Sequence, residues 1–199
     1  MKLRHVLSIA FVALVMVACG DKPQKSGSTE YTNLILDNMK KMKVGDWAVY
    51  YMDRNDYLRM LVVERDSTGV TIDYHLYLDF SRRQTSVIHR FDYEKVKRNL
   101  RNGYDLHGKI KFLEMKSIVE PSKLVDEVVD DSEHWAMRTN GAFLEQWFHD
   151  KAPIWGIVRQ RLDSKNTLLL RGYGRAGEKV EWPPELPRIA PATKPIGKK

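Results

Sequence analysis

Apolar positions first recur at helical intervals near the start of the chain. Tyr31, Leu34, Ile35, Asn38, Met39 and Met42 share one stripe, while Asp37, Lys40 and Lys41 fall elsewhere. The spacing predicts an amphipathic helix over Glu30–Met42 that Gly45 ends. From Val44 the period becomes two. Val44–Met52 reads as a strand, Asp53–Asp56 as a turn, Tyr57–Arg65 as the next strand and Asp66-Ser67-Thr68-Gly69 as a second turn, with glycine expected at a positive φ. Val70–Asp79 alternates plainly: Val70, Ile72, Tyr74, Leu76 and Leu78 face one way, and Thr71, Asp73, His75, Tyr77 and Asp79 the other. Arg83–Phe91 supplies a fourth strand. Three successive hairpins predict an antiparallel meander with one packed face and one wetter face.

Asp92 is placed to cap a helix over Tyr93–Arg101, where Tyr93, Val96 and Leu100 recur before Asn102-Gly103 stops it. Lys109–Val119 returns to strand until Pro121, and Ser122–Val129 reads as another. Residues 130–141 are polar and turn-like. Ala142–His149 fits either a helix or a strand, since Phe143 and Trp147 share a face in both. Ile157–Leu162 and Thr167–Tyr173 form a closing hairpin across Asp163-Ser164-Lys165-Asn166. Trp182–Lys199 holds five of the eight prolines and ends Lys198-Lys199, so it is excluded from a central strand and reads as an extended or disordered tail. The fold class is α+β and mainly antiparallel β: a meander sheet or half-barrel packed on one or two helices.

The first residues, MKLRHVLSIAFVALVMVACG, add an address. Lys2 and Arg4 form a positive start, and Leu7–Val17 is apolar apart from Ser8. That run is shorter than the roughly 20 apolar residues a membrane span needs, and fits the core of an export signal. Met16-Val17-Ala18-Cys19 resembles the lipobox of bacterial lipoproteins, with methionine where leucine is usual. The resemblance implies cleavage before Cys19 and a diacylglyceryl group on its thiol. Buried methylenes at about 0.8 kcal/mol each then hold the domain to a bilayer. Gly20 follows instead of aspartate; in a Gram-negative host the sorting rule of such lipoproteins implies the outer membrane, facing the periplasm.

The organisation that results is a signal peptide at 1–18, a lipidated tether at 19–28, a β-rich envelope domain at 29–175 and a Pro/Lys-rich tail at 176–199. Cys19 is the only cysteine, which leaves the mature domain without an internal disulfide, a thiol nucleophile or a thiolate ligand. The formal net charge is +7. Lys2 and Arg4 leave with the signal, taking it to +5. A basic balance invites nucleic acid as partner, but an exported chain meets anionic headgroups and envelope polymers instead.

Val44-Gly45-Asp46-Trp47 resembles the opening of a group of exported bacterial β-rich proteins. Glu145–Arg159, with Ala152-Pro153-Ile154-Trp155-Gly156-Ile157-Val158, followed by Leu168-Leu169-Leu170 and Gly172-Tyr173-Gly174, resembles the ending of that group, with Ala152 where valine is usual. The resemblance implies kinship with the lipoprotein-carrier superfold, an antiparallel half-barrel around helices with a concave apolar surface.

Candidate chemistry is sparse. Asp73 and His75 share a strand face, with His89 on the next strand; solvated surface residues are the plain alternative to a metal or acid–base site. Ser132 with Glu133-His134 and His149-Asp150 lacks the GxSxG elbow of a hydrolase. GYGRAG at 172–177 has spaced glycines but no following helix to cradle a phosphate. Arg82, Arg83, Lys95, Lys97, Arg98 and Arg101 cluster around the fourth strand and second helix, as a solvated face or a contact for lipid phosphates. Trp47, Tyr51, Tyr74, Trp147 and Trp155 are the candidate ligand-binding residues, against the plain reading that they fill the core. The sequence therefore predicts a non-enzymatic lipoprotein without metal or cofactor, bound to the membrane through its anchor. It holds a lipid or other hydrophobic ligand in a concave sheet, or acts structurally through protein–protein contacts.

Overall fold

A computed structural model describes residues 28–52, 56–79, 81, 83–108, 114–119, 132–139 and 142–178. The signal, Cys19 and most of the tether, the turn at 53–55, the strand expected at 122–129 and the tail from residue 179 lie outside the described residues.

Helix α1 (Ser28–Lys41) is followed by β1 (Trp47–Tyr51), β2 (Tyr57–Arg65), β3 (Gly69–Leu78) and β4 (Arg83–Asp92). Helix α2 (Tyr93–Arg101) leads to β5 (Glu114–Val119), β6 (Glu133–Thr139), β7 (Ala142–Phe148), β8 (Ile157–Leu162) and β9 (Lys165–Gly174). The strands form one open antiparallel sheet in the order β4-β3-β2-β1-β9-β8-β7-β6-β5. Two meanders, β1–β4 and β5–β9, are thus joined at the centre by β1 and β9. The α+β, mainly antiparallel class read from the sequence is what the chain adopts, as an open sheet carrying two helices.

Both helices cover the same face. Tyr31, Ile35 and Met39 of α1, with Met42 just after it, pack with Tyr93, Val96 and Leu100 of α2 and with Ala48, Tyr50, Met60, Ile72 and Tyr74 of the sheet in one cluster. Full burial of such side chains is worth about 1.5–3 kcal/mol each, and this cluster dominates the stability of the domain. Asp92 caps α2 as expected, its carboxylate accepting the Lys95 N–H at 2.8 Å.

Three expectations are corrected, and one left open is decided. Residues 133–139 are a strand, not a turn: Trp135 and Met137 are buried on the helix-covered face, and His134 and Ala136 are buried on the other, so no exposed row remained to show alternation. Ala142–Phe148 resolves to a strand. The second face of β3 is not wet, because Thr71, Asp73, His75 and Tyr77 are all buried between the side chains of β2 and β4. Gly69 does not take a positive φ; Asp66 makes the turn, accepting the Thr68 and Gly69 N–H groups at 2.7 and 3.0 Å. Glycine is needed at 69 because a β-carbon there would collide with the Phe91 carbonyl.

Candidate functional site

The helix-covered face is closed near its middle by the β7–β8 connection. Ile154, Trp155 and Ile157 are buried there, whereas Ala152 packs with Trp147 and Val158 on the other face. The Tyr50 hydroxyl lies 2.8 Å from the Ile157 carbonyl and 3.3 Å from that of Ile154, and the Asn38 amide donates to the Trp155 carbonyl at 2.9 Å. Trp155 adopts φ 59° and Gly156 φ 73°, a left-handed pair that turns the chain back into β8. A β-carbon at 156 would run into the Asn38 side chain, so glycine is required there on two counts. The Trp155 ring packs edge-on against Phe91 at 4.8 Å and its side chain hydrogen-bonds Tyr74. Burial pushes the hydroxyls of Tyr31, Tyr50 and Tyr74 well above the usual phenol range, so all three stay protonated; Tyr31 and Tyr50 donate, and Tyr74 accepts from the Trp155 indole.

A polar chain crosses the same interior. Tyr31 donates to Gln146 at 2.7 Å, Gln146 to Gln160 at 2.6 Å, and Gln160 to Thr167 at 3.1 Å. Gln146 and Gln160 are buried, and the relay gives their amides the partners that burial demands.

The opposite face carries a row of partners that runs across the strands. From β4 to β6 the successive Cα partners are Gln84, Tyr77, Tyr57, Tyr51, Leu169, Arg159, Trp147 and His134. Period-two side chains at matched register put these residues on one line perpendicular to the strands. Tyr51 meets Tyr57 edge-on at 5.6 Å, and His134 stacks on Trp147 at 4.1 Å with the rings 6° apart. Arginines lie over the rings: Arg171 over Tyr51 at 5.7 Å, and both Arg159 and Arg161 over Trp147 at 5.2 and 5.5 Å. The His134 Nε2 stands 3.2 Å from the Glu145 carboxylate.

Beside the tyrosines, on β2–β4, a Arg59 Nη lies 3.3 Å from both Asp73 and His75 Nδ1, and Ser86 donates to Asp73 at 3.0 Å. The serine hydroxyl thus engages the carboxylate and not the imidazole, which is not the arrangement of a nucleophile with its base. Burial first, then the Arg59 cation, holds His75 below its usual pKa, with Asp73 and Gln84 opposing. His89 pairs with Ile72 and so lies on the helix-covered face, away from His75. Among the described residues, no three of His, Cys, Asp and Glu converge as a metal site.

The five candidate ligand-binding residues are not brought together. Tyr74 and Trp155 belong to the helix-covered core. Trp47 and Tyr51 lie on the opposite face of β1, and Trp147 on that face of β7. Trp47 is buried over β9, where a β-carbon at Gly174 would strike its indole. The spaced glycines of 172–177 therefore serve packing and a closing turn. Asp46 of the Val44–Trp47 motif is buried and ties the chain's two halves, accepting the Lys43 and Ala176 N–H groups at 2.8 and 3.0 Å with Arg175 at 3.6 Å. His149 pairs with the neighbouring Asp150 at 3.0 Å. Lys95, Arg98 and Arg101 stand exposed along α2, as does Arg83 on β4; Arg82 lies outside the described residues. Sequence reasoning weighed His134 only beside Ser132 and missed Arg159 and Arg161; only the strand register, invisible in the sequence, lines the three up on Trp147.

No protein-family model matches the chain, and no curated protein matches it significantly. Among solved structures it is similar to a hypothetical protein from Chlamydia trachomatis, at 11% identity over 80% of this chain and 98% of that one, with a TM-score of 0.43.

Proposed function

We propose that this chain is a lipid-anchored, non-enzymatic protein of the bacterial cell envelope that works through surface contacts. The lipobox resemblance at Cys19 carries the anchor, and Gly20 directs it to the outer membrane in a Gram-negative host. The contact reading rests on the Ile154–Trp155 turn, whose side chains fill the helix-covered face at the place where an enclosed hydrophobic ligand would sit. The opposite face offers aromatic rings with arginines laid over them, a composition that recurs at binding surfaces.

The anchor is tested by Cys19→Ser in cells fed an alkyne-labelled palmitate. Wild type is expected to label and to fractionate with membranes, and the variant to do neither. A variant that fractionates as wild type does removes the anchor from the reading. Native mass spectrometry then separates contact from carriage: a clean mass is expected. A co-purifying lipid that is lost on replacing Trp155 with alanine would instead make the protein a carrier whose turn moves aside.

A further inference from the structure

We propose that the paired guanidiniums of Arg159 and Arg161, laid over the Trp147 indole, form a binding site for a phosphate-type oxyanion. Two cations converge here on one ring, at 5.2 and 5.5 Å, and on one amide. Both Nε–H groups donate to the Asn166 side-chain oxygen, at 2.9 and 3.4 Å. Like charges are not brought together without cause, and the local carboxylate does not separate them. Glu145 sits opposite Arg161 in register, yet its oxygen is 3.2 Å from His134, and among the described residues neither guanidinium has a carboxylate within 4 Å. No hydrogen bond among the described residues takes up the Nη groups of either arginine. These are planar donor forks, the shape that matches two oxygens of a phosphate.

The surroundings hold the forks in place. His134 stacks beneath Trp147, both rings are buried, and both arginines are half-buried. Burial, and next the charge of Arg161, pull Arg159 below its usual pKa, and the more distant Glu145 carboxylate offsets them only in part. A dianion neutralises both guanidiniums at once, whereas a carboxylate neutralises one. That difference selects phosphate over acetate. The anion is either free phosphate or the phosphomonoester of an anionic lipid headgroup, both of which take a second negative charge near neutral pH. The site is independent of acylation, so it stands or falls separately from the anchor.

The test is a titration of the full chain, in mild detergent, with inorganic phosphate at constant ionic strength, followed by the Arg159 Nε–H and Trp147 indole N–H resonances. Saturable shifts are expected, with binding weakened about tenfold by Arg159→Gln or Arg161→Gln and unchanged by Cys19→Ser. Asn166→Ala, at the exposed start of β9, keeps both charges but frees the forks; a weakening of about threefold is expected, since only the orientation by the Asn166 oxygen is lost. It carries the test if an arginine variant fails to fold. Competition by short-chain phosphatidic acid would assign the site to a lipid headgroup, and its failure to compete would assign it to the free anion. Shifts matched by chloride or acetate, no saturable shift, or unaltered binding in the variants would overturn the proposal.

Discussion

The Trp47 indole lies so close to Gly174 that no β-carbon fits between them. The two residues are Cα partners across the β1–β9 junction, so the contact sits on the seam between the two meanders. Trp47 is buried and has little room to withdraw. Gly174→Ala is expected to destabilise by about 1–3 kcal/mol, the usual cost of overpacking. Urea unfolding followed by circular dichroism checks this, and a variant as stable as wild type would show the ring free to shift.

Trp155 offers a sharper test because its backbone is left-handed. Trp155→Ala should cost about 3–5 kcal/mol through the cavity it leaves. Glycine ordinarily costs more than alanine at a buried site, but at φ 59° alanine keeps the backbone strain that glycine relieves. Trp155→Gly is therefore expected to be no less stable than Trp155→Ala. A clearly weaker glycine variant would contradict the strain argument.

The Tyr31–Gln146–Gln160 relay predicts non-additivity. Gln146→Leu leaves the Tyr31 hydroxyl without its acceptor in the core, at a cost of about 1–3 kcal/mol, and removes one donor from Gln160, which keeps its bond to Thr167. Adding Tyr31→Phe removes the stranded hydroxyl, and the double variant is expected to recover a large part of the loss. A thermodynamic cycle over the single and combined variants measures the coupling.

Acid should weaken the fold in a window set by histidine. His75 and His89 are both held below their usual value, each chiefly by burial and next by a nearby cation, Arg59 and Lys95 respectively. The unfolded chain then binds protons that the native state refuses. Stability is complete above the unfolded histidine pKa of about 6.5 and falls as pH drops through and below it. Melting temperatures recorded from pH 7.5 to pH 5 should decline, and the decline should flatten in a His75→Gln, His89→Gln double variant. Asp66 acts lower down. Hydrogen bonds from Thr68, then Arg90, hold its carboxyl below the usual range, and its contribution is lost as pH falls below about 4.

The first half of the chain was legible because its periods are clean. The stripe from Tyr31 to Met42, the alternation of β3 and the Asp92 cap each have one local reading. The region around β6 was opaque because Glu133–Thr139 buries both faces and carries a charge at each end, so burial came from neighbours that no local window contains. The candidate site failed for a related reason. Period two tells which residues of one strand share a face, and so Phe143 and Trp147 were grouped correctly. Only register between strands brings His134, Trp147 and Arg159 into line, and register depends on bulges such as those in the β7–β8 and β8–β9 pairs, which shift partners without a mark in the sequence.

Joining β1 to β9 also fixes a timetable. The strand that begins the sheet finds its second neighbour more than a hundred residues later, and Asp46 finds the Ala176 N–H only after that. A chain that emerges from its N-terminus can assemble the β1–β4 meander early, but one flank of β1 stays unzipped until the last hairpin arrives. Pairings of such long reach form slowly. The consequence is a polypeptide that remains threadable for most of its synthesis and locks only when its final strand is released.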